Sequence, residues 1–366
     1  MSFTDPVLRL AADLVAIDSR SFLTNIPLAE RVEQELSGFE VERLDYTDAN
    51  GVAKRALVAH KGPKGGYALS GHMDTVPATG WDSAPWTPRI DAEGFMHGLG
   101  SVDMKGQVAA AIIAAQRAPA DVPATLLITA DEETTKAGAS VIAKQSALAK
   151  SLGLKGILVA EPTSLYPVRG HRSHIAFMAT AHGLQAHSST GKGINANWKL
   201  MPFLVAMRGV HDQLRADPAL QDKDYDPPFS DFNLVLDNHG TAMNVTVAKA
   251  TAHIKFRYSA KVDPKPVLRA VRQAAREAGI DLAEQHEGFP PELPVDHPLI
   301  ALAVALTGKV PRTAPYGTDA SELQVLAPCV VLGPGDVGTA HTPRECIRVQ
   351  ELLDAVPLFG RVLASA

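Results

Sequence analysis

The stretch "SGHMDTVPATGW" (70–81) sets His72 and Asp74 two residues apart, directly after the apolar run Tyr67-Ala68-Leu69. Three further apolar or glycine-rich segments lead to acids in a similar way: "GLGSVDMKGQ" carries Asp103, "LLITA" runs into Asp131-Glu132-Glu133, and "GILVA" ends at Glu161. Each acid has an ordinary explanation on its own. Asp103 can cap a helix beginning at Met104, and acids near helix starts are favoured by the macrodipole. Taken together they imply more, because several carboxylates meeting at one sheet edge repel one another unless a cation neutralises them, and a divalent metal ion is the economical choice. One more ligand is then expected late in the chain. "GPGDVGTAHTPRECI" supplies His341 in a glycine-rich loop after a strand, and with 13 histidines present it is this context that singles His341 out.

The elements that must position these residues alternate in type. "VLRLAADLVAI" (7–17), "LAERVEQELSGF" (28–39), "MKGQVAAAIIAAQRA" (104–118) and "AGASVIAKQSALAK" (137–150) read as helices. "RALVAH" (55–60), "YALSGH" (67–72), "ATLLITA" (124–130) and "GILVAE" (156–161) are short apolar runs ending at polar residues, which reads as strand. The alternation predicts an α/β domain with a mainly parallel sheet covered by helices on both faces. Ligands in such sheets bind beyond the carboxyl ends of the strands, where His72 and Asp74 stand.

From about Val168 the pattern changes. "HIAFMATAHG" (174–183) and "ATAHIKFRYSA" (250–260) alternate apolar and polar residues, and "VLRAVRQAAREAG" (267–279) is helical, predicting a smaller α+β unit with an antiparallel sheet. The proline-rich "EGFPPELPVDHP" (287–298) reads as a linker back to the first style. The expected organisation is a metal-binding domain made of residues 1–168 and 290–366, interrupted by an inserted unit at 169–289.

Composition narrows the function classes. At 366 residues and 46% hydrophobic, the chain can bury a core in each of two domains. Its 35 Lys plus Arg against 40 Asp plus Glu, a net charge of -5, leave no basic footprint for nucleic acid or an anionic membrane. No segment approaches a membrane span, and "MSFTDPVLRL" has an acid and a proline where a signal peptide has basic residues, so a cytoplasmic location is expected. The two cysteines, Cys329 and Cys346, read as reduced thiols.

The segments "GHMDTVP", "GLGSVDMKGQ", "ITADEETTKAGA", "EPTS" and "AHTPRE", in this order, resemble the metal-dependent aminoacylase and deacetylase family of the M20 peptidase clan. The likeness runs from about residue 5 to the C-terminus and is greatest to its acetylornithine and acetylcitrulline deacetylase group, through "ADEETTKAGA", "EPTSLYPVRGHRSHI" and "VVLGPGDVGTAH". The resemblance implies that His72 and Glu161 hold one metal, Glu133 and His341 a second, and Asp103 bridges them. Asp74 would orient His72 by accepting its other ring N–H. Two imidazoles with three carboxylates suit one or two Zn²⁺ or Co²⁺ ions better than magnesium or calcium. Glu132, left without a ligand role, becomes the general base that passes a proton from water to the leaving amine; its other reading is a solvated loop acid.

In the inserted unit, His187 of "GLQAHSSTGKGINAN" matches the histidine that in this family reaches across a homodimer to stabilise the partner's oxyanion. Arg257 and Asn244 match positions associated with substrate, and an arginine suits an α-carboxylate. A surface ion pair and a turn are their plainer readings. The chain departs from the family where no proline follows the His-Ser-Ser group, where Leu99 stands for a common arginine, and where Gln107 replaces a common glycine. The implied activity is hydrolysis of N-acetyl-L-ornithine or N-acetyl-L-citrulline to acetate and the free amino acid, in arginine biosynthesis. A succinyl-diaminopimelate desuccinylase and a metallo-dipeptidase share the ligands, and a non-catalytic metal-binding protein is the alternative from another class.

Overall fold

Strand and helix alternate as the apolar pattern requires in the computed structural model, which describes residues 3–365. Two units are distinguished by their internal contacts: residues 1–170, 291–313 and 318–366 form one, and residues 171–290 with 314–317 form the other.

The larger unit is built on an eight-stranded sheet in the order Glu40–Thr47, Ala53–Lys61, Ala124–Thr129, Tyr67–His72, Gly156–Val159, Cys329–Val331, Val168–His171, Arg312–Ala314. Its centre is parallel, as the alternation predicts: Tyr67–His72 pairs in parallel with Ala124–Thr129 and Gly156–Val159, which pairs in parallel with Cys329–Val331. Antiparallel strands flank this centre. Every residue of Ala124–Thr129 and Gly156–Val159 is buried, which is why these strands read as continuous apolar runs. The alanine-rich helix Lys105–Arg117 is buried from Lys105 through Ala115, packed between helices Pro6–Val15 and Val349–Ala364 and against the sheet.

Register fixes where chemistry can occur. His72 lies opposite Thr129 and Ser70 opposite Val159, so the residues that follow these strands emerge along one carboxyl edge. A small antiparallel sheet joins Phe95–His97 to Cys346–Arg348. It brings the loop leading to Asp103 beside the loop carrying His341.

The run 137–150 is two helices, Ala137–Gln145 and Ala147–Leu152. Ser146 adopts an extended conformation and its hydroxyl accepts the Ala149 N–H, starting a new helix. The Glu42 carboxylate accepts the Ala147 and Leu148 N–H groups at 3.0 and 3.2 Å. Serine offers the backbone a local alternative to continuous helix, a competition that hydrophobic periodicity does not register.

The smaller unit has a four-stranded antiparallel sheet in the order Asp231–Asp237, Lys249–Tyr258, Ser173–His182, Asp281–His286. Helices Ala196–Ala216 and Lys265–Ala278 complete a separate core around Phe177, Phe203, Phe232 and Phe256. Period-two alternation sends Ile254 and Phe256 into this core and leaves His253, Lys255 and Arg257 on the other face. No helix among the described residues is long and apolar enough to cross a membrane.

Candidate metal centre

Asp103 divides its carboxylate between two imidazoles. Its Oδ1 is 3.1 Å from His72 Nε2 and its Oδ2 is 3.1 Å from His341 Nε2. Glu161 Oε1 approaches the same nitrogen of His72 at 3.8 Å, and Glu133 Oε1 lies 3.1 Å from His341 Nε2. Within each of the sets His72, Asp103, Glu133 and His72, Glu132, Glu161, ligand atoms fall within 4.8 Å of one another. The structure thus gathers His72, Asp103, Glu132, Glu133, Glu161 and His341 at one edge. The carboxylate of Asp103 faces the two histidines, and the helix after it, which starts at Lys105, has no side-chain cap.

Electrostatics show what this cluster suits. Burial and the Asp103 charge push Glu133 up to about 7, and the same two causes hold Glu161 well above the carboxylate range. Hydrogen bonds to Asp103 and Glu133 raise His341 to about 11. Burial works against a charged His72, but the Asp103 hydrogen bond and the Glu161 and Asp74 charges outweigh it and raise the ring well above its ordinary value. Burial likewise opposes a charged Asp103, and the His341 and His72 hydrogen bonds prevail and lower it. Buried carboxylates that must recruit protons and imidazolium rings to balance their charge fit a divalent cation, which does the same and leaves the imidazoles neutral for ligation. The imidazole and carboxylate donors suit zinc or cobalt. The His341 side chain is half exposed, so the cluster is open to solvent there.

The role expected for Asp74 needs correction. His72 Nδ1 is 3.0 Å from the Asp74 backbone carbonyl, while the Asp74 carboxylate is 3.6 Å away. That carboxylate accepts the Glu132 and Glu133 N–H groups at 3.1 and 3.2 Å and the Ser21 hydroxyl at 2.8 Å. Ring orientation falls to the main chain, and the side chain clamps the acidic turn instead. A two-residue spacing brings the backbone oxygen to the ring as readily as the side chain, so sequence alone leaves the acceptor open.

Several residues to which sequence reasoning gave no role support this edge. Glu345 is buried, and its Oε1 accepts the N–H groups of Gly100, Val102 and Asp103 at 2.9, 3.1 and 3.1 Å. It follows His341 by four residues in "HTPRE", so a single loop delivers one ligand and braces another. Gln107 donates to Val102 and Pro334 carbonyls at 2.5 and 3.0 Å, giving its departure from the family glycine a structural use. Gly138 is dictated by close approach: a Cβ there would lie 2.5 Å from the nitrogen and oxygen of Ala130. Asp319, buried beside Glu132, accepts from the Thr129 hydroxyl, and burial together with the Glu132 charge raises it to about 8. In "YGTDASELQ" it reads simply as a helix-capping acid. Lys136 Nζ is 3.1 Å from Glu132 Oε1, both side chains being buried.

Lys54 is the least expected of these residues. It is fully buried and stands 2.7 Å from the equally buried Asp131. Removing one partner of such a pair costs about 3–5 kcal/mol, because the other charge remains buried and uncompensated.

The smaller unit places His187 and Asn244 side by side: Ser188 N–H donates to the Asn244 carbonyl at 3.0 Å, and His187 pairs with Val245 as an isolated bridge. Both residues are exposed. His187 Nδ1 accepts from Ser189 at 2.8 Å, which engages one ring nitrogen and leaves Nε2 facing away from that bond. The base of the loop is closed, since a Cβ at Gly183 would lie 2.0 Å from the Ile194 carbonyl oxygen, while residues 187–192, where the family's proline is missing, are exposed. Arg257 is the cross-strand neighbour of Asp231, and its Nη1 donates to that carboxylate at 2.7 Å.

Residues 68–365 match the model of peptidase family M20/M25/M40. The chain is 31% identical to the acetylornithine deacetylase of Myxococcus xanthus, an alignment covering all of this chain and 98% of that one. Among solved structures, the M20 family metallo-carboxypeptidase Sso-CP2 of Sulfolobus solfataricus superposes with a TM-score of 0.77 at 17% identity, covering 98% of this chain and 99% of that one. The di-peptidase Dug1p of Saccharomyces cerevisiae does so with a TM-score of 0.75 at 15% identity, covering 98% and 95%.

Proposed function

The chain belongs to peptidase family M20/M25/M40, a family of metal-dependent hydrolases, and from that premise we propose that it removes the acetyl group of N-acetyl-L-ornithine or N-acetyl-L-citrulline. The observation that carries the reading is Asp103 shared between His72 and His341, with Glu132 beside the pair. His72, Glu161, Glu133, His341 and Asp103 would hold the one or two ions, with Asp103 placed between the two imidazoles. When bound, Zn²⁺ or Co²⁺ polarises the amide carbonyl and makes water acidic enough to attack near neutral pH. Glu132 takes the proton from the attacking water and delivers it to the amine nitrogen as the C–N bond breaks, so acetate and the free amino acid leave. Lys136 and Asp74 hold this acid in place, one at its carboxylate and the other at its backbone N–H.

A relative matched over the full chain is an acetylornithine deacetylase, which favours an acetylated amino acid of the arginine pathway. The test is a panel of acetylated ornithine, citrulline, methionine and glutamate, with succinyl-diaminopimelate and a dipeptide. Zn²⁺ or Co²⁺ should restore turnover of acetylornithine or acetylcitrulline, and a chelator should abolish it. Preference for the succinyl compound or the dipeptide assigns the chain to the corresponding activity of the same family, and no turnover of any member with metal bound leaves a binding protein.

A second copy of the chain belongs to this reading. Trp198, Met201 and Val205 recur on one face of helix Ala196–Ala216 and are 68%, 49% and 74% exposed. Leu234, Val235 and Leu236 are exposed on strand Asp231–Asp237, an edge of its sheet. An apolar helix face and an unpaired edge strand together are what a homodimer covers. His187 then serves the partner's centre by donating a hydrogen bond to the oxyanion that forms on the amide carbonyl.

Arg257 holds the substrate α-carboxylate with the edge of its guanidinium that Asp231 leaves open. Arg257→Ala should lower kcat/KM strongly for the free acid and much less for a substrate whose carboxylate is amidated. Lysine should rescue poorly, since a point charge does not reproduce the planar fork. Equal losses on the acid and the amide would make Arg257 a purely structural partner of Asp231.

A further inference from the structure

We propose that Lys54 is a positioning residue for the turn that carries Glu132, an inference that rests on reading Glu132 as the base. The ammonium of Lys54 has three donors, and three acceptors surround it: Asp131 Oδ1 at 2.7 Å and the carbonyl oxygens of Ser21 and Leu23 at 2.5 and 2.8 Å. Neither Lys54 nor Asp131 reaches solvent.

Two of the three groups that Lys54 holds lead to the candidate centre. Asp131 is the pivot of the acidic turn. Its backbone has φ +62°, and its carbonyl accepts the N–H groups of Thr135 and Lys136 at 3.0 and 2.7 Å. Its second carboxylate oxygen accepts the Tyr46 hydroxyl at 2.8 Å. On the other side, Ser21 Oγ donates to Asp74 at 2.8 Å, and Asp74 accepts the N–H groups of Glu132 and Glu133. The contacts close into a circuit: Lys54 to Ser21, Ser21 to Asp74, Asp74 to the Glu132 and Glu133 backbone, and through Asp131 back to Lys54. A left-handed non-glycine backbone persists when its surroundings determine it, and this circuit supplies that determination. Lysine suits the place because a compact charge can point three donors in three directions, which a planar guanidinium cannot.

A stabilising ion pair and a positioning one are separated by two variants. Lys54→Met leaves Asp131 buried and uncompensated, so the protein should melt earlier. Lys54→Met/Asp131→Asn removes both charges, keeps an acceptor for Tyr46 and places a residue tolerant of positive φ at position 131. The double variant should recover most of the lost melting temperature. Its kcat on the best substrate should nevertheless stay about ten- to a hundredfold below wild type, the scale on which a misplaced catalytic group costs rate, with KM changed far less. In metal-free protein, amide hydrogen exchange should quicken at residues 19–24 and 132–136, and strands Tyr67–His72 and Ala124–Thr129 should keep wild-type protection.

Recovery of melting temperature and kcat together, with wild-type exchange in the turn, would overturn the proposal and make the pair a core contact. A double variant that fails to fold counts against it too, since the pair would then serve the whole fold. If wild type hydrolyses no member of the panel, the reading of Glu132 fails separately, and the exchange pattern still decides whether Lys54 holds the turn.

Discussion

Glu132→Gln should retain fold and metal content yet lose at least about a hundredfold in kcat, the lower end of what a positioned acid or base contributes. Glutamine keeps the shape of the side chain and its place beside Lys136 and Asp319, so the packing of the turn is preserved. It lacks the basic carboxylate that takes a proton from water and the acid that returns it to the amine. Both halves of the reaction suffer, and KM should move little because glutamine still occupies the same space. The adjacent residue is the control. Glu133 Oε1 faces His341, so Glu133→Gln should weaken metal retention, and activity should return in part at high Zn²⁺ or Co²⁺. Metal analysis after gel filtration, paired with steady-state kinetics at saturating metal, separates the two neighbours. Near-normal turnover in metal-loaded Glu132→Gln would sink the assignment of the base.

How this edge could be read from sequence, and where reading stopped, follows from the physics of each residue. His72, Glu132, Glu133 and Glu161 follow buried apolar strands, and a parallel sheet sends such residues to a common edge, so strand pattern alone groups them. His341 and Asp103 sit on glycine-rich loops beside a strand end or a helix start, a context that singles them out, and the ordered motifs then assign them ligand roles. The braces are a different matter. Lys54 lies on strand Ala53–Lys61, whose pairing with Ala124–Thr129 is antiparallel, and a lysine at the start of a strand reads as solvent-facing. Its partner Asp131 is 77 positions later, a separation no local pattern encodes. Asp319 is more distant still, 187 residues beyond Glu132, in a segment with only a capping signal. Periodicity finds the elements and their ends. It does not find which buried polar side chains must meet, because that depends on tertiary pairing.

The largest gain of activity is expected from mixing two inactive variants. If His187 serves the partner's centre, His187→Ala and Glu132→Ala homodimers are both nearly inactive, the first for want of the oxyanion donor and the second for want of the base. Their hybrid is not. The subunit carrying His187→Ala keeps its own Glu132 and receives an intact ring from the partner's His187, so one complete centre is rebuilt. The other centre lacks both groups. Random reassociation of equal amounts places about half the molecules in hybrids, each with one of two centres working, and activity should climb to roughly a quarter of wild type. A His187 that acts within its own chain predicts no recovery, because each hybrid centre would then lack one group. Differently tagged chains that co-purify verify that subunits have exchanged. With exchange verified, persistent inactivity would exclude the shared centre and leave the exposed His187 with a local role, its Nδ1 holding Ser189 at the turn.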